Sequence, residues 1–483
     1  MREGLSNAKE TRQVNREYEL ALINHERQQQ QFVSNALGFL KRMAEAMAEC
    51  GYDSGTIEED IAACANAWGI TDVHVHVIGR AIIIQHSPLG ISPTVVIGEA
   101  TTMEAFNLNI MHGLRQIRDL ICSGNLSLGQ ADAKLCRLLA HPLIWPWWVS
   151  ALGGMMLACS ITLQSNGTVE DSIIAMFVLL VVNRVGALLD KLAVFRFFQL
   201  LIQSILFVGI GVGLYATGIL TLQGAAALIG ACIILIIPIP QIVAVAEDAI
   251  RGFHVTAWSR FFGIFLSILA ICIGIGGAFA VARTKVLFSS DTVLIFPTLN
   301  FGVALIAALV GALGNGLFMN GWPRVLIPAS VAGVITGAIN LFLVREVGLP
   351  SPLSVAIGGA VLGFGAVAVE RKLDVPAKAI ILTGLCGGLL PGLDMYRSMI
   401  YLMLFQQGAS TYVIWTIFII LAIGGGIVLG TTSIQTRGRM RHRRAVHEHW
   451  TNTVNKATIG ERLGDTHVVL ESPEAPNPED FKD

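Results

Sequence analysis

Two ionisable residues, Asp394 and Arg397, stand inside a long apolar stretch towards the carboxyl end of the chain. A charged side chain within a lipid bilayer is costly, so such a residue is a functional candidate by default. A carboxylate at this depth can carry a proton or meet an ammonium group, and a guanidinium can meet a carboxylate. A plainer interpretation stays open, in which Asp394 caps a half-helix and pairs with Arg397 three residues later.

Residues that break helices come directly before this pair. Proline removes a backbone donor and glycine favours non-helical backbone, so a membrane helix that contains both should be interrupted. Interrupted helices are tolerated at membrane depth where they pack inside protein or line a cavity, and secondary transporters build substrate sites there. The predicted breaks in this segment are Gly387, Gly388, Pro391 and Gly392.

A similar arrangement occurs earlier in the chain. Two prolines interrupt an apolar segment, and three charged residues follow them with the same Asp-x-x-Arg spacing. These charged residues either form a plain cytoplasmic loop or contribute to substrate binding and coupling. The residues of this region are Pro238, Pro240, Glu247, Asp248 and Arg251, and a further polar candidate for lining the path is Asn300.

The composition indicates which elements must position these residues. Of the 483 residues, 53% are hydrophobic and only 14% are charged, and the mean hydropathy is +0.64. Soluble domains are about a quarter charged, so the values predict a polytopic α-helical membrane protein. About ten segments approach the ~20 residues that span a bilayer, at 143–164, 172–190, 194–217, 219–241, 256–282, 292–316, 322–343, 352–369, 377–404 and 411–431.

The predicted spans divide into two membrane halves of five helices, residues 141–291 and 292–435. The proline break followed by Asp-x-x-Arg falls in the fourth span of each half. With five spans per half, equivalent helices cross the membrane in opposite directions. The pattern predicts an inverted repeat with the site at the repeat interface. Chance is the alternative, because proline and glycine are common in membrane helices.

A small soluble unit is predicted before the first span. Residues 1–34 are polar and are expected to be disordered or a loose helix. Residues 35–140 predict a cytosolic α+β domain, and residues 436–483 a disordered cytosolic tail that is basic and then acidic. Periodicity within the domain predicts strands at 73–77, 81–85 and 94–98 and later helices at 56–68, 103–121 and 127–140.

Lysine and arginine in short loops predict the orientation, because cytoplasmic loops carry an excess of both. With the amino-terminal domain in the cytoplasm, the outside loops carry only Arg283, Lys285 and Arg345. The sequence therefore predicts a multi-pass protein of the bacterial inner membrane with both termini cytoplasmic. The cytoplasmic loops then hold Lys191, Arg196, Arg251, Arg260, Arg324, Arg371, Lys372 and Lys378.

Several strings of residues occur in a characteristic order. They are Gly51-Tyr52-Asp53, Ser127-Leu128-Gly129-Gln130-Ala131, Ile237-Pro238 with Glu247-Asp248, Asn320-Gly321-Trp322-Pro323-Arg324, and Pro391-Gly392-Leu393-Asp394-Met395-Tyr396-Arg397. In this order and spacing, the chain resembles the threonine/serine exporter (ThrE) family over roughly residues 35–435. It departs from the family pattern at Ile239, where glycine is usual, and at Gly388, where a proline is expected.

The resemblance implies a secondary transporter that exports small amino acids such as threonine and serine, driven by the proton motive force. Its partners are then the substrate, protons and the bilayer, and the oligomeric state stays open. Without a CxxC pair, phosphate loop or nucleophile elbow, the sequence predicts no metal, cofactor, nucleic acid or enzymatic activity. Two alternatives remain: an exporter of a small dicarboxylate or other small acid, and a membrane-anchored sensor or enzyme with its activity in residues 35–140.

Overall fold

The computed structural model describes most of the chain up to residue 433. Described are residues 2–88, 92–101, 106–165, 167–285, 299–373, 375–390, 394, 401, 410–412 and 414–433, without the side chains of 2–23, 26 and 283–285. Pro391, Gly392, Arg397 and the predicted tail 436–483 lie outside the described residues.

An amino-terminal unit of four helices and three strands precedes the long apolar helices. Its strands form one antiparallel sheet in the order β1-β2-β3. The elements are α1 (Arg2–Glu49), α2 (Ser54–Ala67), β1 (Val73–Ile78), β2 (Ala81–His86), β3 (Thr94–Glu99), α3 (Leu108–Cys122) and α4 (Leu128–Ala140).

Alternation along the strands gives this unit its core. Val75 and Val77 of β1 are buried opposite Ile84 and Ile82 of β2. Successive strand residues point to opposite faces, so these apolar side chains share the face that packs on α1 and α2. The fully buried Phe39 of α1 contributes to the same core.

Helix α1 continues through the polar residues that precede Phe32. Of the two expectations for residues 1–34, disorder or a loose helix, the structure agrees with the helical one, since α1 begins at Arg2. Glutamine, glutamate and arginine have favourable helix propensity, so a polar segment can continue a helix that the apolar residues after Phe32 anchor.

The remaining helices are long, apolar and packed side by side. Among the described residues, eight helices are long and apolar enough to cross a membrane, or up to nine if the bent pair α8–α9 is one span. The chain is therefore a polytopic helical membrane protein. The helices are α5 (Trp147–Gln164), α6 (Val169–Lys191), α7 (Arg196–Ala216), α8 (Leu222–Ile236), α9 (Ile239–Arg251), α10 (His254–Lys285), α11 (Phe301–Phe318), α12 (Pro323–Arg345), α13 (Ser351–Leu373), α14 (Ala377–Gly384) and α15 (Ser410–Ser433).

Two predicted spans differ from the observed helices. The segment 219–241 ends as a straight helix at Ile236, because two prolines follow, and a bent helix then continues to Arg251. The segment 377–404 begins with the short helix α14, and most of it after Leu390 lies outside the described residues. The count of ten spans therefore stays a prediction.

The first helices of the two predicted halves cross at two glycines. A Cβ atom on Gly153 of α5 would lie 2.6 Å from the carbonyl oxygen of Gly314 on α11. In return, a Cβ atom on Gly314 would lie 2.7 Å from the carbonyl oxygen of Gly153. Small residues let membrane helices approach this closely, so the backbones of α5 and α11 meet at this crossing between the halves.

Candidate functional site

The first helix break lies between α8 and α9. Pro240 has no backbone N–H, so it cannot donate to the carbonyl of Ile236 as a helical residue would. The backbone is also non-helical next to Pro240: the N–H of Ile239 donates to the carbonyl of Ile237, only two residues earlier, at 2.8 Å. The helix axis bends by 46° here, and the carbonyl of Ile236 loses its helical donor.

The second break follows α14, where the helix gives way to a 3-10 turn at Leu385–Gly387. Side-chain amides of two neighbouring helices donate to backbone carbonyls of this segment. Asn315 of α11 donates from Nδ2 to the carbonyl of Leu382 at 2.8 Å, and Asn340 of α12 donates to Gly388 at 2.9 Å. The break is thus stabilised by one buried and one partly buried hydrogen bond from neighbouring helices.

Glycines bring α12 against this second break. A Cβ atom on Gly387 would lie 2.4 Å from Cα of Gly333, and one on Gly388 would lie 2.6 Å from Cα of Gly337. No side chain fits at such distances without a backbone shift. Gly387 and Gly388, predicted as breakers, therefore also allow the backbones to touch.

A central cavity of about 250 Å³ lies between the two breaks. A single water needs only roughly 10–15 Å³ of such space, so the cavity has room for a small amino acid. Among the described residues, Arg196 is the only charged side chain that lines it, and its polar neighbours there are Gln241, Ser267 and Asn315. The other lining residues are Phe106, Leu157, Leu200, Ile234, Leu235, Ile236, Ile237, Pro238, Ile239, Pro240, Phe318, Met319, Leu382, Leu385, Cys386 and Leu390.

A larger vestibule of about 770 Å³ lies between the amino-terminal unit and the membrane helices. Its charged lining consists of Arg80, Asp190, Arg196 and Arg260, so arginine outnumbers acid. The vestibule and the central cavity share three lining residues, so the two chambers adjoin each other. The shared residues are Phe106, Arg196 and Gln241.

A cluster of buried charges joins the amino-terminal unit to α9 and α14. Nζ of Lys378 lies 2.8 Å from Oε2 of Glu247 and 3.7 Å from Oδ1 of Asp53. Nη1 of Arg251 lies 2.9 Å from Oδ2 of Asp53. Burial by itself raises the pKa of the Asp53 carboxyl, but Lys378, Arg251 and hydrogen bonds from Thr56 hold that pKa below its ordinary value.

Further ion pairs extend this contact between the two parts of the chain. Asp248 is fully buried, accepts a hydrogen bond from the backbone N–H of Ser54 at 2.8 Å, and lies 3.2 Å from Nη1 of Arg260. Arg115 of α3 pairs with Glu370 of α13. Together with the cluster around Lys378, these contacts dock the amino-terminal unit onto the membrane helices.

Comparisons with known proteins match both halves of the chain. A family model described as "Putative threonine/serine exporter" (ThrE) matches residues 38–282, and a model described as "Threonine/Serine exporter, ThrE" matches residues 304–433. The chain belongs to the threonine/serine exporter family. This confirms the family that the sequence resemblance indicated.

Two curated relatives of this family share low identity over most of their length. The "Probable threonine/serine exporter" of Mycobacterium tuberculosis is 23% identical over 80% of this chain and 74% of its own. The "Threonine/serine exporter" of Corynebacterium glutamicum is 21% identical over 82% of each chain. No solved structure matches the chain significantly.

The candidate residues of this ThrE-family chain fall in several places. Glu247, Asp248 and Arg251 form the last turns of α9, so the loop interpretation of this segment is wrong. Asn300 is exposed at the amino end of α11, where its side chain accepts from the backbone N–H of Gly302 at 2.9 Å. Asp394 is buried. Across the residues that the structure describes, no three His, Cys, Asp or Glu side chains form a metal site.

Four residues of this exporter-family chain are located at the site by the structure and were not predicted there from the sequence. By their sequence context, Arg196 and Lys378 are predicted to be cytoplasmic loop charges, and Asp53 is only part of a motif. Phe106 had no distinguishing signal, because a single aromatic residue before a helix is common.

Proposed function

We propose that the chain exports small amino acids such as threonine and serine across the bacterial inner membrane. The observation that carries this proposal is the central cavity, which is lined by both broken helices at once. Secondary transporters place substrate sites at such breaks, where backbone groups are free to bind the substrate. The reciprocal approach of Gly153 and Gly314, in the first helices of the two halves, supports the inverted repeat that is common among such transporters.

The cavity supplies partners for each group of a zwitterionic hydroxy amino acid. Arg196 is the cation that meets the carboxylate in a charge-assisted contact. The carbonyl of Ile236, which loses its helical donor at the proline break, accepts from the ammonium group. The side chains of Gln241, Ser267 and Asn315 are within the same lining and can bind the hydroxyl group.

The proposed direction follows from the vestibule. It lies on the side of the amino-terminal unit, where the basic residues Lys191, Arg251 and Lys378 also lie at helix ends. This distribution supports an amino-terminal unit and termini in the cytoplasm. Substrate then enters the central cavity from the cytoplasm through the vestibule, as export requires.

Coupling to the proton motive force is assigned to Asp394 in this proposal. Its carboxyl group is buried in the segment that follows the second break. The substitution Asp394→Asn keeps a helix-capping side chain but removes the titratable proton. We expect this variant to catalyse exchange of labelled substrate while losing uptake driven by a pH gradient. Normal gradient-driven transport by Asp394→Asn would reject this assignment.

A second cargo class is supported by one observation. Three arginines and one aspartate line the vestibule, and with Arg260 paired to Asp248 the two remaining arginines, Arg80 and Arg196, still outnumber Asp190, which favours anions. The positive electrostatic potential of these arginines would attract a small dicarboxylate or another small acid more strongly than a zwitterion. Counterflow in proteoliposomes with labelled threonine, serine, alanine, succinate and malate separates the two cargo classes.

Arg196→Gln is the variant that tests the cavity as the substrate site. Loss of one charge-assisted contact costs about 1.5–3 kcal/mol, so we expect the half-saturation concentration for threonine to rise about 10- to 100-fold. Lys191→Gln is the matched control, since Lys191 is an exposed cation close by in sequence that lines neither chamber. Unchanged counterflow by Arg196→Gln would contradict the proposed site.

A further inference from the structure

The vestibule and the central cavity meet at three side chains of different character. Arg196 and Gln241 belong to membrane helices and can hydrogen-bond to a polar substrate. Phe106 belongs to the amino-terminal unit and offers only an apolar ring. A polar solute that passes from one chamber to the other therefore meets a hydrophobic side chain at the junction.

The ring of Phe106 is held against a turn of its own unit. Gly51 follows α1 with φ of +79°, and a Cβ atom there would lie 2.1 Å from Cε1 of Phe106. Glycine at this position therefore serves both the left-handed backbone and the contact with the ring. The half-buried ring is packed on the turn rather than projecting freely into solvent.

The backbone beside Phe106 is tied to the wall of the cavity. The N–H of Leu108 donates to the carbonyl of Met319 at 3.0 Å, and Nδ2 of Asn107 donates to the carbonyl of Pro142 at 3.0 Å. Met319 itself lines the central cavity. The hydrogen bond from Leu108 to Met319 thus holds Phe106 at the junction, and it must break before the amino-terminal unit can carry the ring away.

We propose that Phe106 is the inner gate of the transport path, closing the central cavity towards the vestibule. The bulky ring occupies the junction beside Arg196 and Gln241 in the closed arrangement, so it blocks passage sterically and offers a polar substrate no hydrogen bond. Because the gate is carried by the amino-terminal unit, the ion pairs that dock this unit hold the gate in place. The proposal rests on the proposed function for its substrate, but the gate itself can be tested without any substrate.

Cys386 is a native reporter of access to the cavity. It is buried, free and part of the cavity lining. The experiment uses full-length protein in lipid nanodiscs, with Cys386 as the one cysteine kept of the eight. The rate at which a small water-soluble maleimide alkylates Cys386 then measures how often the junction is open.

The gate predicts a specific order of alkylation rates. Minor open states are typically populated at about 0.1–10%, so Phe106→Ala should raise the rate about tenfold or more. Phe106→Trp enlarges the ring and should lower the rate. The controls are Phe195→Ala, which changes the vestibule alone, and Phe318→Ala, which changes the cavity alone; both should stay near the parent rate.

Two results would overturn the gate. One is a Phe106→Ala rate no higher than that of the Phe195 and Phe318 controls, and the other is faster alkylation with Phe106→Trp. Should Phe106→Ala not yield folded protein, the comparison of Phe106→Trp with the parent decides alone. A parent protein that shows no counterflow of any amino acid would refute the proposed function and leave the alkylation result standing.

Discussion

The docking surface of the amino-terminal unit and the central cavity use charge in opposite ways. At the docking surface, Asp53, Glu247, Arg251 and Lys378 are largely buried and paired with one another. In the cavity, Arg196 is the one charged side chain among the described lining residues. The paired charges of the docking surface hold two parts of the chain together, whereas the guanidinium of Arg196 lines a cavity where a ligand can reach it.

This difference changes which residues are the strongest candidates for a role in transport. Glu247 and Asp248 were attractive candidates because carboxylates near a membrane segment are rare. Their observed partners are Lys378 in one case and Arg260 with the Ser54 backbone in the other. Substitutions at the docking surface should therefore lower stability, whereas substitutions in the cavity should lower transport.

The largest expected effect on stability comes from Lys378→Met. Removing one partner from a buried ion cluster leaves uncompensated charge and costs about 3–5 kcal/mol. Asp53 and Glu247 would both lose their contact with this ammonium group. Thermal unfolding in detergent should show a clear decrease in the unfolding temperature. Lys372→Met, at an exposed position near the end of α13, is the control and should unfold like the parent.

A smaller loss is expected from Gly387→Ala in the wall of the second break. The new methyl group would meet the backbone of Gly333, so the helices must separate, and overpacking costs about 1–3 kcal/mol. Gly365→Ala on α13 is the matched control, because no heavy atom lies within 4 Å of its added methyl group. Equal unfolding temperatures for the two variants would show that the backbones do not touch at the break.

The pH dependence of docking gives a third, more limited effect. The pKa of Asp53 is lowered in the folded protein, so its contribution to stability is complete above its ordinary value of 3.8 and is lost as the pH falls through the lower folded-state value. We expect the stability difference between the parent and Asp53→Asn to be constant from about pH 5 upwards and to shrink below about pH 4. A difference that grows on acidification would contradict the ion cluster.

The smallest effect on stability is expected from Arg196→Gln. Arg196 is exposed to the vestibule and cavity, and substitutions at exposed positions usually change stability by no more than about 0.5 kcal/mol. The unfolding temperature should match that of the parent, although transport is impaired. A loss of stability as large as that of Lys378→Met would remove the distinction between the two regions.

Local signals in the sequence predicted much of the fold. The alternation from Val73 onwards predicted β1, and the pair Pro238 and Pro240 predicted the break between α8 and α9. Both signals depend only on nearby residues: side chains alternate along a strand, and proline lacks a donor wherever it occurs. Such features can be read without knowing the tertiary structure.

The site was harder to predict because its contacts join distant parts of the chain. The partner of Glu247 is Lys378, far along the sequence on α14, and nothing in either local sequence indicates the pairing. Arg196 was counted among loop charges, since its place between two chambers depends on the bend of α8–α9 and on the amino-terminal unit. Phe106 depends in the same way on packing against Gly51.

Protection of Cys386 by substrate tests the central claim most directly, namely that the cavity between the broken helices binds the cargo. In a variant that keeps only Cys386 and the exposed Cys122, threonine or serine should slow alkylation of Cys386, with a half-effective concentration equal to the half-saturation concentration of counterflow. Cys122 in the amino-terminal unit should react at an unchanged rate. Alkylation of Cys386 that is indifferent to saturating substrate, in protein that performs counterflow, would contradict the account.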